Sequence, residues 1–163
     1  MTAPAPSNAV LSQKCKVVIN CGAGKVIRAF SSFIEPKKPE SLASSCPIEE
    51  LLNSCVAEDG SDLRLDAATV KAVFFVSSFE GDRQYEPVRF YTAGNDPGLI
   101  WVEILFRDGE IVEGCVQNSV HHLLGDGFFL LPSSPGSNNL MIFINKAAMA
   151  SYRVLGVRDP ERH

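Results

Sequence analysis

The segment Trp101-Val102-Glu103-Ile104-Leu105-Phe106-Arg107-Asp108-Gly109-Glu110-Ile111-Val112-Glu113-Gly114-Cys115-Val116 decides the fold. Val102, Ile104 and Phe106 alternate with Glu103 and Leu105, the period of a strand that keeps one face on a core. Asp108-Gly109 follows, the sequence signal of a type I′ turn, and Ile111 to Val116 reads as the returning strand. The same grammar continues downstream. It predicts a loop through His121-His122, a strand over 127–132, a Ser/Pro/Gly/Asn loop, a strand over 139–144, one helical turn at Lys146 to Met149 and a last strand over 150–157. Asn145 is placed to cap that turn, because its side-chain oxygen can accept from a backbone N–H that the turn leaves unpaired.

Upstream, the pattern recurs. Setting Gly24 on Gly109, an offset of 85, places Val17 on Val102, Ile19 on Ile104, Cys21 on Phe106 and Val26 on Ile111, with Gly22-Ala23-Gly24 as the hairpin turn. Leu63 to Val70 matches Ile142 to Met149 at an offset of 79, so Asp66 falls on Asn145 as the cap of an earlier helical turn. The expected architecture is therefore mainly β: two pseudo-repeated five-stranded small barrels, SH3-like or Sm-like, packed together with one inserted short helix. The expected boundaries are a leader over 1–14, a first repeat over 15–78 with a helical insertion at 45–56, a connector over 79–98, a second repeat over 99–158 and a tail over 159–163. Within the insertion, Ile48, Leu51, Leu52 and Cys55 fall at the spacing of one helix face, after Pro47 and with Glu49 and Glu50 at the positive end of the dipole.

Composition narrows the class. The chain has 163 residues, 45% apolar and 21% charged, with 15 Lys+Arg against 19 Asp+Glu, so it has the material of a folded core and no basic bias toward nucleic acid. No apolar run approaches the ~18 residues of a membrane-spanning helix, and the first residues lack a signal-peptide pattern. Five cysteines, an odd number without a Cys-x-x-Cys pair, read as reduced thiols that fill core positions. The expected location is cytoplasmic.

Several words of the sequence resemble a bacterial family of uncharacterised domains that occurs alone or joined to signalling modules. They are Ala72-Val73-Phe74-Phe75-Val76 with Phe79-Glu80-Gly81-Asp82, Arg89-Phe90, Phe106-Arg107-Asp108-Gly109-Glu110 with Glu113-Gly114, and Gly127-Phe128-Phe129-Leu130 with Pro132 and Ser137-Asn138-Asn139. The resemblance spans residues 15 to 157 and implies the tandem small-barrel fold, with no established activity.

Catalytic readings find little support. Gly22-Ala23-Gly24-Lys25 lacks the spacing, the Ser or Thr and the helix of a phosphate loop. Adjacent histidines on a loop point apart and make a poor zinc site. No Gly-x-Ser-x-Gly elbow occurs, and Asp108 with Glu110 reads as a solvated hairpin tip. The expected function is a non-catalytic interaction or adaptor module that needs no metal or cofactor and binds a protein partner, with homodimerisation through an edge strand as one form. The candidate binding residues are His121, His122, Ser137, Asn138, Asn139, Asn145 and Lys146. The alternative is Sm-like RNA binding through 117–126 and 145–149. Of Phe128, Phe129 and Leu131, which alternate poorly, one residue is expected to be exposed and adhesive.

Overall fold

A computed structural model describes residues 14–32, 47–80, 99–118, 124–132 and 138–157. The chain opens with a hairpin of β1 (Cys15–Asn20) and β2 (Val26–Ser31), followed by α1 (Ile48–Asn53) and β3 (Cys55–Ala57). A first 3-10 turn (Ala67–Thr69) leads into β4 (Ala72–Val76). The second hairpin joins β5 (Leu99–Phe106) to β6 (Ile111–Gln117), and β7 (Gly127–Pro132) and β8 (Asn139–Asn145) follow. A second 3-10 turn (Lys146–Ala148) leads into β9 (Met149–Val157). Strands of the second half start and stop within two residues of the sequence expectation. Asp66 and Asn145 cap the two turns as anticipated, accepting from the N–H of Ala68 at 3.0 Å and of Ala147 at 3.2 Å.

All nine strands join antiparallel in one open sheet, ordered β3-β2-β1-β4-β8-β7-β6-β5-β9. The mainly β expectation holds, whereas the expected pair of closed barrels is not seen among the described residues, where the sheet is open. β4 gives its outer edge to β8, and β7 divides its pairing, with Gly127 to Leu130 on β8 and Leu131 and Pro132 on β6. Among the described residues neither half closes on itself, and the two are joined through the pairing of β4 with β8. Gly114 makes the crossing at β6 and β7 feasible, since a Cβ there would collide with the Leu131 carbonyl and the Leu130 side chain.

The centre of this sheet has no solvent face. From β4, β7 and β8, Val73, Phe75, Phe129, Met141 and Phe143 enter one core with Val17, Ile19, Leu51 and Cys55. Their neighbours Ala72, Phe128, Leu130, Ile142 and Ile144 enter a second core with Val102, Ile104, Phe106 and Val116. Successive side chains of a strand point to opposite faces, so a strand with a core on each side must be apolar throughout. The expectation of an adhesive residue is overturned here: Phe128, Phe129 and Leu130 are all buried, and Leu131 is half-buried. Helix α1 lays Ile48, Leu51 and Leu52 on the first core, where Cys15, Cys21 and Cys55 pack as small fillers, as expected, and Cys115 is buried in β6. Burial pushes the thiols of Cys21, Cys55 and Cys115 up, which keeps them protonated at neutral pH; Lys25 partly offsets this at Cys21, and hydrogen bonds from Ser31 and Ser54 do so at Cys55.

The first hairpin turn falls at Gly22-Ala23-Gly24 as expected, whereas the second differs from the sequence reading. Gly109 alone is left-handed at the second, with φ 93°, while Arg107 and Asp108 keep negative φ, so the turn is not type I′. The Gly109 N–H bonds the Phe106 carbonyl at 3.0 Å, so glycine closes the turn rather than occupying its centre. The first turn has positive φ at both central residues, Ala23 at 50° and Gly24 at 78°, with the Lys25 N–H on the Gly22 carbonyl at 3.0 Å. That is the primed geometry, achieved with a strained alanine.

Candidate functional site

The sequence-derived candidates divide between two places. Asn138, Asn139, Asn145 and Lys146 lie at the two ends of the junction between β4 and β8, and His121, His122 and Ser137 lie outside the described residues.

At one end of the junction, Asn145 is 3% exposed. Its amide donates to the carbonyls of Val70 at 2.7 Å and Ala67 at 3.1 Å, while its oxygen caps its own turn. An amide has two N–H donors for one half and an accepting oxygen for the other, whereas a carboxylate would face two carbonyl oxygens. Its side chain is wholly engaged inside the fold. At the other end, Asn138 accepts from the Ser77 hydroxyl at 2.8 Å and the Ser78 N–H at 3.1 Å and donates to the Ser78 carbonyl at 3.0 Å. Asn139 stands opposite Val76, at the bulge where β4 and β8 lose register. Lys146 is half-buried and reaches the Leu124 carbonyl at 3.5 Å. Asparagine clasps thus bracket the junction.

Sequence reasoning missed the third clasp. Lys71, 6% exposed, points from the start of β4 into the second hairpin, where its ammonium bonds Asp108 at 2.7 Å and also Glu110. The ammonium lies 4.6 Å from the centre of the Phe106 ring. Asp108 and Glu110 stay exposed at the hairpin tip, as the sequence reading has it, and add to that the role of partners to a buried cation. Burial pulls the lysine pKa down, but the hydrogen bonds and charges of the two carboxylates outweigh it and the net shift is upward. The Lys71 ammonium and the Glu110 N–H together hold the Asp108 carboxyl below its usual range. A lone lysine in Val70-Lys71-Ala72-Val73, with two acids flanking a turn elsewhere, was the available signal. Beside Lys71 lies a recess of about 240 Å³ between the 3-10 turns, lined by Ala68, Thr69, Arg107 and Ala147 among others. Among the described residues no group of three metal-ligating side chains occurs.

The opposite situation holds at β9, which ends the sheet and pairs, among the described strands, with β5 alone. Residue 150 and residue 155 bulge out of register, leaving Ser151 to Val154 as the regular stretch between them. Val154 is 50% and Val157 63% exposed, and exposed Arg153 pairs with Glu103 at 3.0 Å. Among the described strands none lies beyond β9, and a sheet edge with exposed valines is a surface that another strand can join.

The fold and site thus define a mainly antiparallel β protein organised around an internal strand junction. The chain belongs to a family of unknown function (DUF6982), which matches residues 13–156. No curated protein and no solved structure matches it. No helix among the described residues is long and apolar enough to cross a membrane.

Proposed function

We propose that this chain is a non-catalytic interaction module whose binding element is the outer edge of β9. The observation that carries it is the position of β9, which among the described strands is last in the sheet, pairs with β5 alone and exposes Val154 and Val157. An extended segment of a partner would add to it by main-chain hydrogen bonds, with Val154 and Val157 supplying apolar contact. The Sm-like RNA reading is the weaker one, because Asn145, one of its contact residues, spends its amide on the Val70 and Ala67 carbonyls.

The reading includes a tandem origin of the two halves. It is supported by register: Asn20 faces Ala72 and Val17 faces Phe75, while Leu105 faces Ser151 and Val102 faces Val154. These pairs obey both sequence offsets at once. The hairpins agree as well, with Cys15 opposite Ser31 and Ile100 opposite Val116.

A photoreactive benzoylphenylalanine in place of Val154, in cells expressing the full chain, tests the reading. Irradiation is expected to yield covalent protein adducts that are absent when the same group replaces Ile111 at the exposed hairpin tip. No adduct specific to Val154 overturns it.

A further inference from the structure

We infer that the recess beside Lys71 is a binding site for a small monocarboxylate with an apolar body, held by Arg107. The recess has a volume of about 240 Å³. That is below the roughly 300–1,000 Å³ of sites for drug-sized ligands, so its occupant is a compact molecule. Its walls come from both halves of the chain, with Ala68 and Thr69 of the first 3-10 turn and Ala147 and Ala148 of the second. Buried Val70 and Phe106 add apolar lining. The walls are held in place before anything binds. Each turn is capped by its own side chain, and Asn145 ties the second turn to the carbonyls of Ala67 and Val70 beside the first.

The charges select the ligand. Lys71, Arg107 and Asp108 are the charged residues that line the recess. The Lys71 ammonium is already answered by Asp108 and Glu110. Arg107 is held in another way. Its main-chain N–H donates to the Ala148 carbonyl at 2.9 Å and its Nε to the Ala147 carbonyl at 2.9 Å. Both bonds fix the guanidinium against the second turn, and its two terminal NH2 groups make no hydrogen bond among the described residues. Such a fork matches the two oxygens of a carboxylate. Around the recess, Asp66 caps the first turn, Lys146 reaches the Leu124 carbonyl and Lys25 stands exposed beyond Gly24, and none of the three lines it. With Glu110 included, two cations stand against two acids, so one added negative charge is matched by Arg107. A phosphate dianion would meet Asp108 and Glu110 with no second cation to offset them. The alanine methyl groups and the Phe106 ring favour a hydrocarbon body behind the carboxylate.

A ligand seated here touches the turns of both halves and therefore stabilises their junction. The site is separate from the outer edge of β9 and stands whether or not a partner strand pairs there.

Sodium benzoate is the probe, titrated at constant ionic strength into the purified full chain and followed by amide proton–nitrogen correlation spectra. Benzamide, which has the same shape without the charge, and inorganic phosphate are the comparisons. Saturable shifts are expected at the amides of Ala68, Thr69, Arg107 and Ala147, with millimolar affinity. Arg107→Gln is expected to weaken binding about tenfold or more, the loss of a charge-assisted hydrogen bond, with a thermal melt reporting that the variant is folded. Ala147→Leu keeps the guanidinium and adds bulk at the wall, and it is expected to remove the saturable shifts. Benzoate shifts that never saturate, or that either variant leaves unchanged, overturn the site. Benzamide binding as tightly as benzoate overturns the role of the Arg107 charge, and phosphate binding as tightly overturns the monocarboxylate as its ligand.

Discussion

β4 and β9 follow the same kind of capped 3-10 turn and pair with the same side of a hairpin, yet one is the most enclosed strand in the molecule and the other the most open. β4 has a strand on both edges, a core on each face and a buried lysine at its start. β9 pairs with β5 alone among the described strands, carries two bulges and contains no lysine. The strand pattern alone does not separate a central strand from an edge. What separates them is the supply of specific polar clasps, Asn145, Lys71 and Asn138, at one junction and their absence from the other.

Matched substitutions break the comparison most sharply. Phe75 is fully buried, and Phe75→Ala is expected to cost about 3–5 kcal/mol, whereas Val154→Ala at the corresponding position of β9 is expected to stay within about 0.5 kcal/mol in denaturant unfolding. Next in size is the amide clasp. Asn145→Ala leaves two carbonyls and an N–H without their partner and should cost about 2–3 kcal/mol, against about 1 kcal/mol for the exposed cap in Asp66→Ala.

The lysine clasp gives the junction a pH signature on both the acid and the alkaline side. Asp108 has a folded pKa below its ordinary 3.8, so its contribution to stability is complete above that value and disappears as pH falls through the lowered one. Lys71 has a folded pKa above its ordinary 10.5, so its contribution is complete below 10.5 and is lost as pH rises through the raised value. Thermal melts across pH should show the midpoint falling at both extremes, and Lys71→Met should flatten both limbs. The smallest effect contrasts the hairpins. Ala23→Gly relieves a left-handed alanine and should stabilise the chain by about 0.5 kcal/mol, while Gly109→Ala should destabilise it by about 1 kcal/mol.

Much of the fold was legible because the second half alternates so regularly. Val102, Ile104 and Phe106 announced a half-buried strand, and Asp66 and Asn145 announced caps. The long-range joining of β4 to β8 was not legible, since Ala72 and Ile144 carry no local sign that they will face each other. The central strand β7 misled for a related reason: a run buried on both faces loses the alternation by which strands are recognised, and so Phe128-Phe129 looked adhesive. At the candidate site the sequence singled out Asn138, Asn139 and Asn145 as polar residues of interest. Their engagement inside the molecule emerges only when the two halves are seen side by side.

The pairing of β4 with β8 also has a consequence for how the chain is made. Synthesis runs from the first hairpin onward, so Ala72 leaves the ribosome long before Ile144 exists. During that interval the first half holds an apolar strand with one edge unfilled, and Lys71 waits for the acids of a hairpin not yet translated. Closing a contact so distant along the chain is slow compared with forming a hairpin. The nascent half-molecule is thus the stage at which this protein is most exposed to pairing with the wrong strand, and a chaperone that shields β4 until β8 arrives would act where protection is needed most.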